Sequence, residues 1–219
     1  MSLSADPESD RERAVALTPV SRETAARLDR FVELLLRWQR ITNLVAPSTL
    51  PHLWTRHIAD SLQLLDLAPQ ARVWVDMGTG GGFPGLVLAC ALADRLGAAV
   101  HLVESNTKKA AFLGDAAQAT RAPAVVHTLR MEKFVESSPP TADVVTARAV
   151  SPLASLLDAT CPLLQRGALG LFPKGQDVEA ELTEATKYWS MAVDLVPSRT
   201  DSKARIVRVE ALERKQKVL

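Results

Sequence analysis

Apolar residues recur at helical spacing from residue 22 to residue 40, where Leu28, Phe31, Val32, Leu35 and Trp38 fall on one face. Thr18 followed by Pro19, or else Ser21, can start this helix, and Thr42-Asn43-Leu44 with Pro47 ends it. A second helix is expected from about Leu50 to Asp66, with Pro51 in its first turn. From Arg72 the period changes, and short apolar runs alternate with helical stretches. The order is strand 72–76, helix 84–96, strand 99–103, helix 107–119, strand 124–127, a short helix near 131–136, strand 142–147, helix 152–164, strand 168–172 and helix 177–189. Such alternation predicts a parallel sheet covered on both faces. Two consecutive strands, 191–196 and 204–209, are joined by the polar segment Pro197–Lys203 and predict an antiparallel hairpin at one edge. The chain thus divides into a leader over 1–17, expected to be disordered, a helical extension over 18–67, and an α/β domain over 68–219.

Composition narrows the setting. With 219 residues, 47% of them hydrophobic, the chain fits one domain with a small extension. No apolar run reaches the length of a membrane span. The acidic, polar start M-S-L-S-A-D-P-E-S-D is unlike a signal peptide. Cys90 and Cys161 lie in apolar helical contexts, which suits core positions in a reducing cytoplasm. Neither has metal-ligand spacing, and the four histidines do not cluster, so no metal is expected. A net charge of +1 is low for a broad electrostatic binder of nucleic acid. The basic stretch over 199–217, with Arg199, Lys203, Arg205, Arg208, Arg214, Lys215 and Lys217, is by default a solvated strand face and frayed tail, with a phosphate-contact patch as the alternative.

The candidate chemistry sits in R-V-W-V-D-M-G-T-G-G-G-F-P-G, residues 72–85. An apolar run ends in Asp76, glycines crowd the turn, and a helix follows with Pro84 in its first turn. This is a strand, tight loop and helix, the place where a nucleotide-like cofactor crosses the end of a Rossmann-like parallel sheet. Glu104 ends the next apolar run, 24 residues beyond Gly80, near the spacing of an acid that binds ribose hydroxyls. Its competing role is a plain strand-end acid. Gly80-Gly81-Gly82-Phe83-Pro84-Gly85 also matches the dinucleotide spacing, so NAD is not excluded by counting. The Gly78, Gly80, Gly82 pattern after Asp76 resembles instead the first motif of S-adenosylmethionine-dependent methyltransferases. That cofactor carries an ammonium, which an acid at the strand tip can attract.

Further motifs carry a more specific likeness. They are Trp38-Gln39-Arg40-Ile41-Thr42-Asn43-Leu44, Arg56-His57-Ile58-Ala59-Asp60-Ser61-Leu62, the glycine loop, Val103-Glu104-Ser105 with Lys108-Lys109, Arg130-Met131-Glu132, and Asp143-Val144-Val145-Thr146-Ala147-Arg148-Ala149. Over roughly residues 18–210 the chain resembles the glucose-inhibited division protein B family, bacterial methyltransferases that methylate N7 of one guanine in 16S ribosomal RNA. The resemblance implies a class I methyltransferase fold over 68–219, S-adenosylmethionine as cofactor, and 16S ribosomal RNA or the small ribosomal subunit as partner of a cytoplasmic monomer. Gly78, Gly80, Phe83 and Glu104 match the cofactor loop and its acid, Met131 and Glu132 the pair flanking adenine, and Arg148 a site arginine. Arg148 is also the candidate catalytic residue, able to meet the cofactor carboxylate or the RNA. Asn43, Arg56, His57 and Lys174 are candidates for RNA contact.

Each position has a plainer reading from the residues alone. Phe83 can be a helix staple, Glu132 a first-turn acid opposing the helix dipole, and Arg148 a surface ion-pair partner. Asp60 can pair with His57, and Asn43 can cap a turn. Guanine N7 has an in-plane lone pair and no proton, so in-line methylation needs no general base. Ser138-Pro139-Pro140-Thr141 superficially resembles an amine-methylation motif, but it precedes the fourth strand and lacks the aromatic residue, so it is taken as a turn. Cys161-Pro162 has the wrong order for a pyrimidine nucleophile. A methyltransferase acting on a small molecule and a nonenzymatic RNA-binding assembly factor remain the alternatives.

Overall fold

A computed structural model describes residues 6–137 and 139–215. The first five residues of the leader, Ser138 at the head of the expected turn, and the tail from Gln216 with Lys217 lie outside the described residues. Seven strands form one sheet: β1 (Val73–Met77), β2 (Ala99–Val103), β3 (Ala124–His127), β4 (Val144–Thr146), β5 (Leu169–Lys174), β6 (Trp189–Pro197) and β7 (Arg205–Arg214). Their order is β3-β2-β1-β4-β5-β7-β6. The first five run parallel, and β7 lies antiparallel to β5 with β6 outside it. The C-terminal hairpin is therefore present at the edge, with its later strand on the inside. The chain moves one way from β1 to β3 and the other way from β4 to β5, so the carboxyl ends of β1 and β4 border the crevice where ligands enter open α/β sheets.

Helices α5 (Gly85–Leu92), α6 (Thr107–Thr120), α7 (Met131–Glu136), α8 (Leu153–Leu164) and α9 (Val178–Ala185) complete the alternating unit. Two apolar clusters cover the two faces. Trp74 on β1 belongs to one, with Phe31, Leu86 and Phe112. Its neighbours Val75 and Met77 fall into the other, with Phe134, Leu157 and Phe172. Val75 points away from Trp74 because successive strand residues point to opposite faces. Helix α2 (Arg22–Trp38) buries Leu28, Phe31, Val32 and Leu35 as the periodicity predicts, and Ser21 Oγ accepts the N–H of Thr24 at its start.

Two expectations fail in the chain before β1. The leader is not disordered from Pro7 onward: α1 (Pro7–Leu17) starts at Asp6 and packs on the chain near Trp54. Its amphipathic signal is weak because its key inward residue is charged, Asp10, which is 5% exposed. The second helix is broken into a 3-10 turn (Pro47–His52), a widened π-type turn (Trp54–Ala59) and the short α3 (Asp60–Leu62) and α4 (Leu64–Leu67). Pro51 has no N–H for a regular ladder, and Asp10 takes the N–H groups of Trp54 and Thr55. Among the described residues no helix is long and apolar enough to cross a membrane.

Candidate functional site

The glycine loop is tied to its strands at several points. Gly78 and Thr79 donate N–H to Val103 O at 2.8 and 3.1 Å, which pins the loop to the end of β2. Gly78 has φ +74°, and a Cβ there would lie 2.7 Å from Val150 Cγ2. Both facts demand glycine. Asp76 does not face the crevice as a strand-tip acid would. It is fully buried, and its Oδ2 accepts the N–H of Gly85 at 2.8 Å. Burial pushes its carboxyl up to about 7, against the pull of that hydrogen bond. Asp76 therefore secures the start of α5 and is not placed to attract a cofactor ammonium.

Glu104 bridges the loop to the next helix. One carboxylate oxygen accepts Gly80 N–H at 3.0 Å and the other accepts Asn106 N–H at 2.7 Å. It is both the structural strand-end acid and a residue facing the crevice. The crevice encloses about 560 Å³, and Gly78, Gly80, Phe83, Glu104, Met131, Glu132 and Arg148 all line it. Met131 and Glu132 reach it from the first turn of α7. Gly78 and Gly80, both with positive φ, leave backbone bare beside an acid and the apolar Leu129 and Met131, a lining that suits a ribose and an adenine.

Arg148 closes the crevice at the tip of β4. Its Nη1 donates to Arg56 O at 3.1 Å and lies 3.4 Å from Asp60 Oδ2. Its Nη2 meets His57 Nδ1 at 2.6 Å. His57 Nε2 lies 2.9 Å from Thr49 Oγ1, whose own hydroxyl donates to Ala46 O. The guanidinium has only donors, so Nδ1 accepts and the ring proton sits on Nε2. Burial first, then Arg148 and Arg56, push the His57 imidazolium down to about 3. Asp60 Oδ1 in turn accepts from Thr200 and Gln63 at 2.9 Å each. Phe83 packs beneath this network, with its ring 4.8 Å from that of His57 and 5.4 Å from the Arg148 guanidinium carbon. Asp60 and His57 thus pair with Arg148 and not with each other. The next residue, Ala149, takes φ +54° and turns the chain so that Val150 covers Gly78.

A second cleft of about 670 Å³ opens on the other side of Arg148. Arg56, Arg148, Ala149 and Val150 line both clefts and form their shared wall. Lys174 lies in the second cleft but is not a free cation. Its Nζ is held by Glu181 at 2.8 Å and Ser151 O at 2.7 Å, and the side chain is 8% exposed. Asn43 is exposed and lines neither cleft. Gln39, and not Asn43, organises that loop, accepting the N–H groups of Leu44 and Val45 at 2.9 and 3.0 Å. Lys109 lines the first cleft, whereas Lys108 lines neither. Much of the C-terminal basic stretch is paired internally: Arg199 with Asp66, Arg208 with Asp194 and Glu210, Arg214 with Asp158. No local pattern marks Arg13, His52 or Thr200 as residues of the second cleft, because each arrives from a distant segment.

A family model described as rRNA small subunit methyltransferase G matches residues 24–207. A protein of Bradyrhizobium sp. strain BTAi1 named ribosomal RNA small subunit methyltransferase G is 62% identical over 205 residues, covering 94% of this chain and 92% of that protein. A protein of the same name from Methylobacterium sp. strain 4-46 is 55% identical, covering 93% and 96%. Among solved structures, the O-methyltransferase from Bacillus cereus in complex with SAH superposes with a TM-score of 0.60 at 12% identity, covering 91% of this chain and 96% of that one. The O-methyltransferase TomG from Streptomyces achromogenes, in complex with SAM, superposes with a TM-score of 0.56 at 12% identity, covering 93% and 96%. At such identities the structural likeness carries the fold alone.

Proposed function

The chain belongs to the rRNA small subunit methyltransferase G family, and on that premise we propose that it transfers a methyl group from S-adenosylmethionine to N7 of a guanine in 16S ribosomal RNA, in line and without a general base. When bound, the cofactor would supply a methyl activated by its sulfonium: the N7 lone pair would bond to the methyl carbon as the carbon–sulfur bond breaks, and S-adenosylhomocysteine would leave. Gly78, Gly80 and Phe83, which line the first cleft, would hold its floor, Glu104 would take its ribose hydroxyls, and Met131 and Glu132 would flank its adenine. The acceptor base approaches through the second cleft across Arg148, where Arg56 and the T-A-R-A turn separate the two spaces.

The observation that carries the base-free reading is the state of His57. Its Nδ1 accepts from Arg148, its Nε2 is bound to Thr49, and its pKa is pushed down to about 3. Asp60, the acid nearest the shared wall, is committed to Arg148, Thr200 and Gln63. Neither group is disposed to remove a proton from an amine, and N7 presents none. What these residues do is hold a rigid wall. Arg148 stands in that wall with His57, Asp60 and Phe83 fixing its plane, and a wall that positions the reactants can contribute about 7–11 kcal/mol in favourable cases.

Radiolabel transfer tests the substrate class. Purified protein and labelled S-adenosylmethionine should label 16S ribosomal RNA or small subunits from a strain lacking the enzyme. Label that enters a metabolite pool and not RNA would overturn the reading in favour of a small-molecule methyltransferase. Tight cofactor binding with no transfer would favour an assembly factor.

A further inference from the structure

Helix α1 precedes the segment matched by the family model, which begins at residue 24, yet it forms part of the second cleft. Its register is fixed from inside. Asp10 Oδ2 accepts the N–H groups of Trp54 and Thr55 at 2.8 and 3.3 Å, and Oδ1 accepts the Thr55 hydroxyl. Those N–H groups head the widened turn that carries Arg56 and His57. Arg11 closes the flank with a two-pronged contact to Asp29 at 2.7 and 2.8 Å, and its guanidinium carbon lies 5.1 Å from the Trp54 ring centre. Three residues beyond Asp10, nearly one helical turn, Arg13 reaches the cleft rim.

The charges around that rim are unequal in kind. Arg148 and Lys174 are spent on Asp60 and Glu181. Asp201 accepts the N–H of Lys203 at 2.9 Å. Arg13, His52 and Arg56 come from three different elements and are exposed, and neither arginine forms an ion pair among the described residues. An ion pair carries no net charge, and salt screens exposed charges beyond a Debye length of about 10 Å, so the unpaired arginines dominate what an anion meets close to the rim. A small acceptor needs no such rim, whereas a polynucleotide brings one phosphate with every nucleotide.

We infer that Arg13, with His52 and Arg56, forms a phosphate-binding rim on the second cleft, and that α1 is the element that fixes the RNA backbone beside the shared wall at Arg148. The inference rests on the reading of the acceptor as RNA. Arg13 touches no part of the cofactor cleft. Its loss therefore separates RNA affinity from cofactor affinity.

The test is binding of a fluorescent 16S ribosomal RNA fragment by the full chain over a series of KCl concentrations. Arg13→Gln, Arg13→Glu and the wild type are compared with Arg121→Gln, an exposed arginine in the turn between α6 and β3, at the opposite edge of the sheet. Arg13→Gln should weaken RNA binding several-fold and make the plot of log affinity against log salt shallower by about one unit. Arg13→Glu should weaken it further. Calorimetric affinity for S-adenosylmethionine should stay within twofold of wild type in both. An Arg13→Gln slope equal to that of wild type, or a loss no larger than that of Arg121→Gln, would overturn the inference. So would an equal loss of cofactor affinity, which would mark Arg13 as structural. If the wild type binds this RNA but places no methyl on it, the methyl-transfer reading fails, while the slope still decides the role of Arg13.

Discussion

Arg148 Nη2 stands 2.6 Å from His57 Nδ1, joining the tip of β4 to the helical extension 91 residues earlier. The same guanidinium reaches Arg56 O and Asp60 through its other nitrogen. A lysine keeps the charge but cannot make this fork. Arg148→Lys is expected to stay folded and to methylate 16S ribosomal RNA much more slowly. Arg148→Ala also takes the guanidinium from Asp60 Oδ2, leaving that carboxylate only its hydrogen bonds to Thr200 and Gln63, and leaves the buried His57 Nδ1 without its donor, at a cost on the order of 3 kcal/mol. Urea unfolding and single-turnover methylation of both variants check this. Wild-type turnover in Arg148→Ala would remove the residue from the site.

Two buried groups oppose each other in pH dependence. The folded chain keeps His57 neutral down to about pH 3, while the unfolded chain protonates it near 6.5, so this group lowers stability as pH falls across that window. The folded chain keeps Asp76 protonated up to about pH 7, while the unfolded chain releases that proton near 3.8, so this group lowers stability as pH rises across its window. Between 3.8 and 6.5 the two slopes cancel. Relative to wild type, His57→Asn should add a fall in stability with rising pH, and Asp76→Asn a rise, each approaching about 1.4 kcal/mol per pH unit. Urea unfolding between pH 4 and 7 reads the slopes, and unchanged slopes would contradict the assignment.

Glu104→Gln replaces one of two acceptor oxygens by a donor, so either Gly80 or Asn106 loses its partner and the ribose loses a charged acceptor. Hydrogen bonds to charged groups contribute about 1.5–3 kcal/mol. Cofactor affinity should fall tenfold or more in a folded protein. Calorimetric affinity within twofold of wild type would reduce Glu104 to a structural strand-end acid.

The parts legible in the sequence are those set by local pattern. The run Ala99–Val103, the strand Ala124–His127 and the helix Met131–Glu136 fall where periodicity puts them. The glycine loop is legible because its backbone conformation demands unusual residues. Contacts made over long separations were not. Asp10 caps a turn 44 residues away, so a polar leader gave no local sign that it would dock. Lys174 stands at the carboxyl end of β5 as expected, but Glu181, one turn into α9, neutralises it. The sequence pattern extends the last helix to residue 189, but it stops at Ala185, because Trp189 is the buried first residue of β6.

Gly78 has two separable constraints, its φ of +74° and the side chain of Val150. The left-handed conformation costs a residue with a Cβ about 1–2 kcal/mol, and the clash adds to it. Gly78→Ala should weaken S-adenosylmethionine binding. Adding Val150→Ala should recover part of the loss but not all, since only the clash is relieved. Full recovery in a double-mutant cycle would show that φ is unimportant, and no recovery would show that Val150 moves freely.

The most direct test of the account is the position of the methyl group. 16S ribosomal RNA from a strain lacking the enzyme is incubated with the purified protein and S-adenosylmethionine, treated with borohydride and aniline, and read by primer extension. N7-methylguanine breaks the strand under this treatment, so the expected result is one new, enzyme-dependent stop at a single guanine. A methyl found on an exocyclic amine or a pyrimidine carbon, with no stop, would contradict base-free transfer to N7.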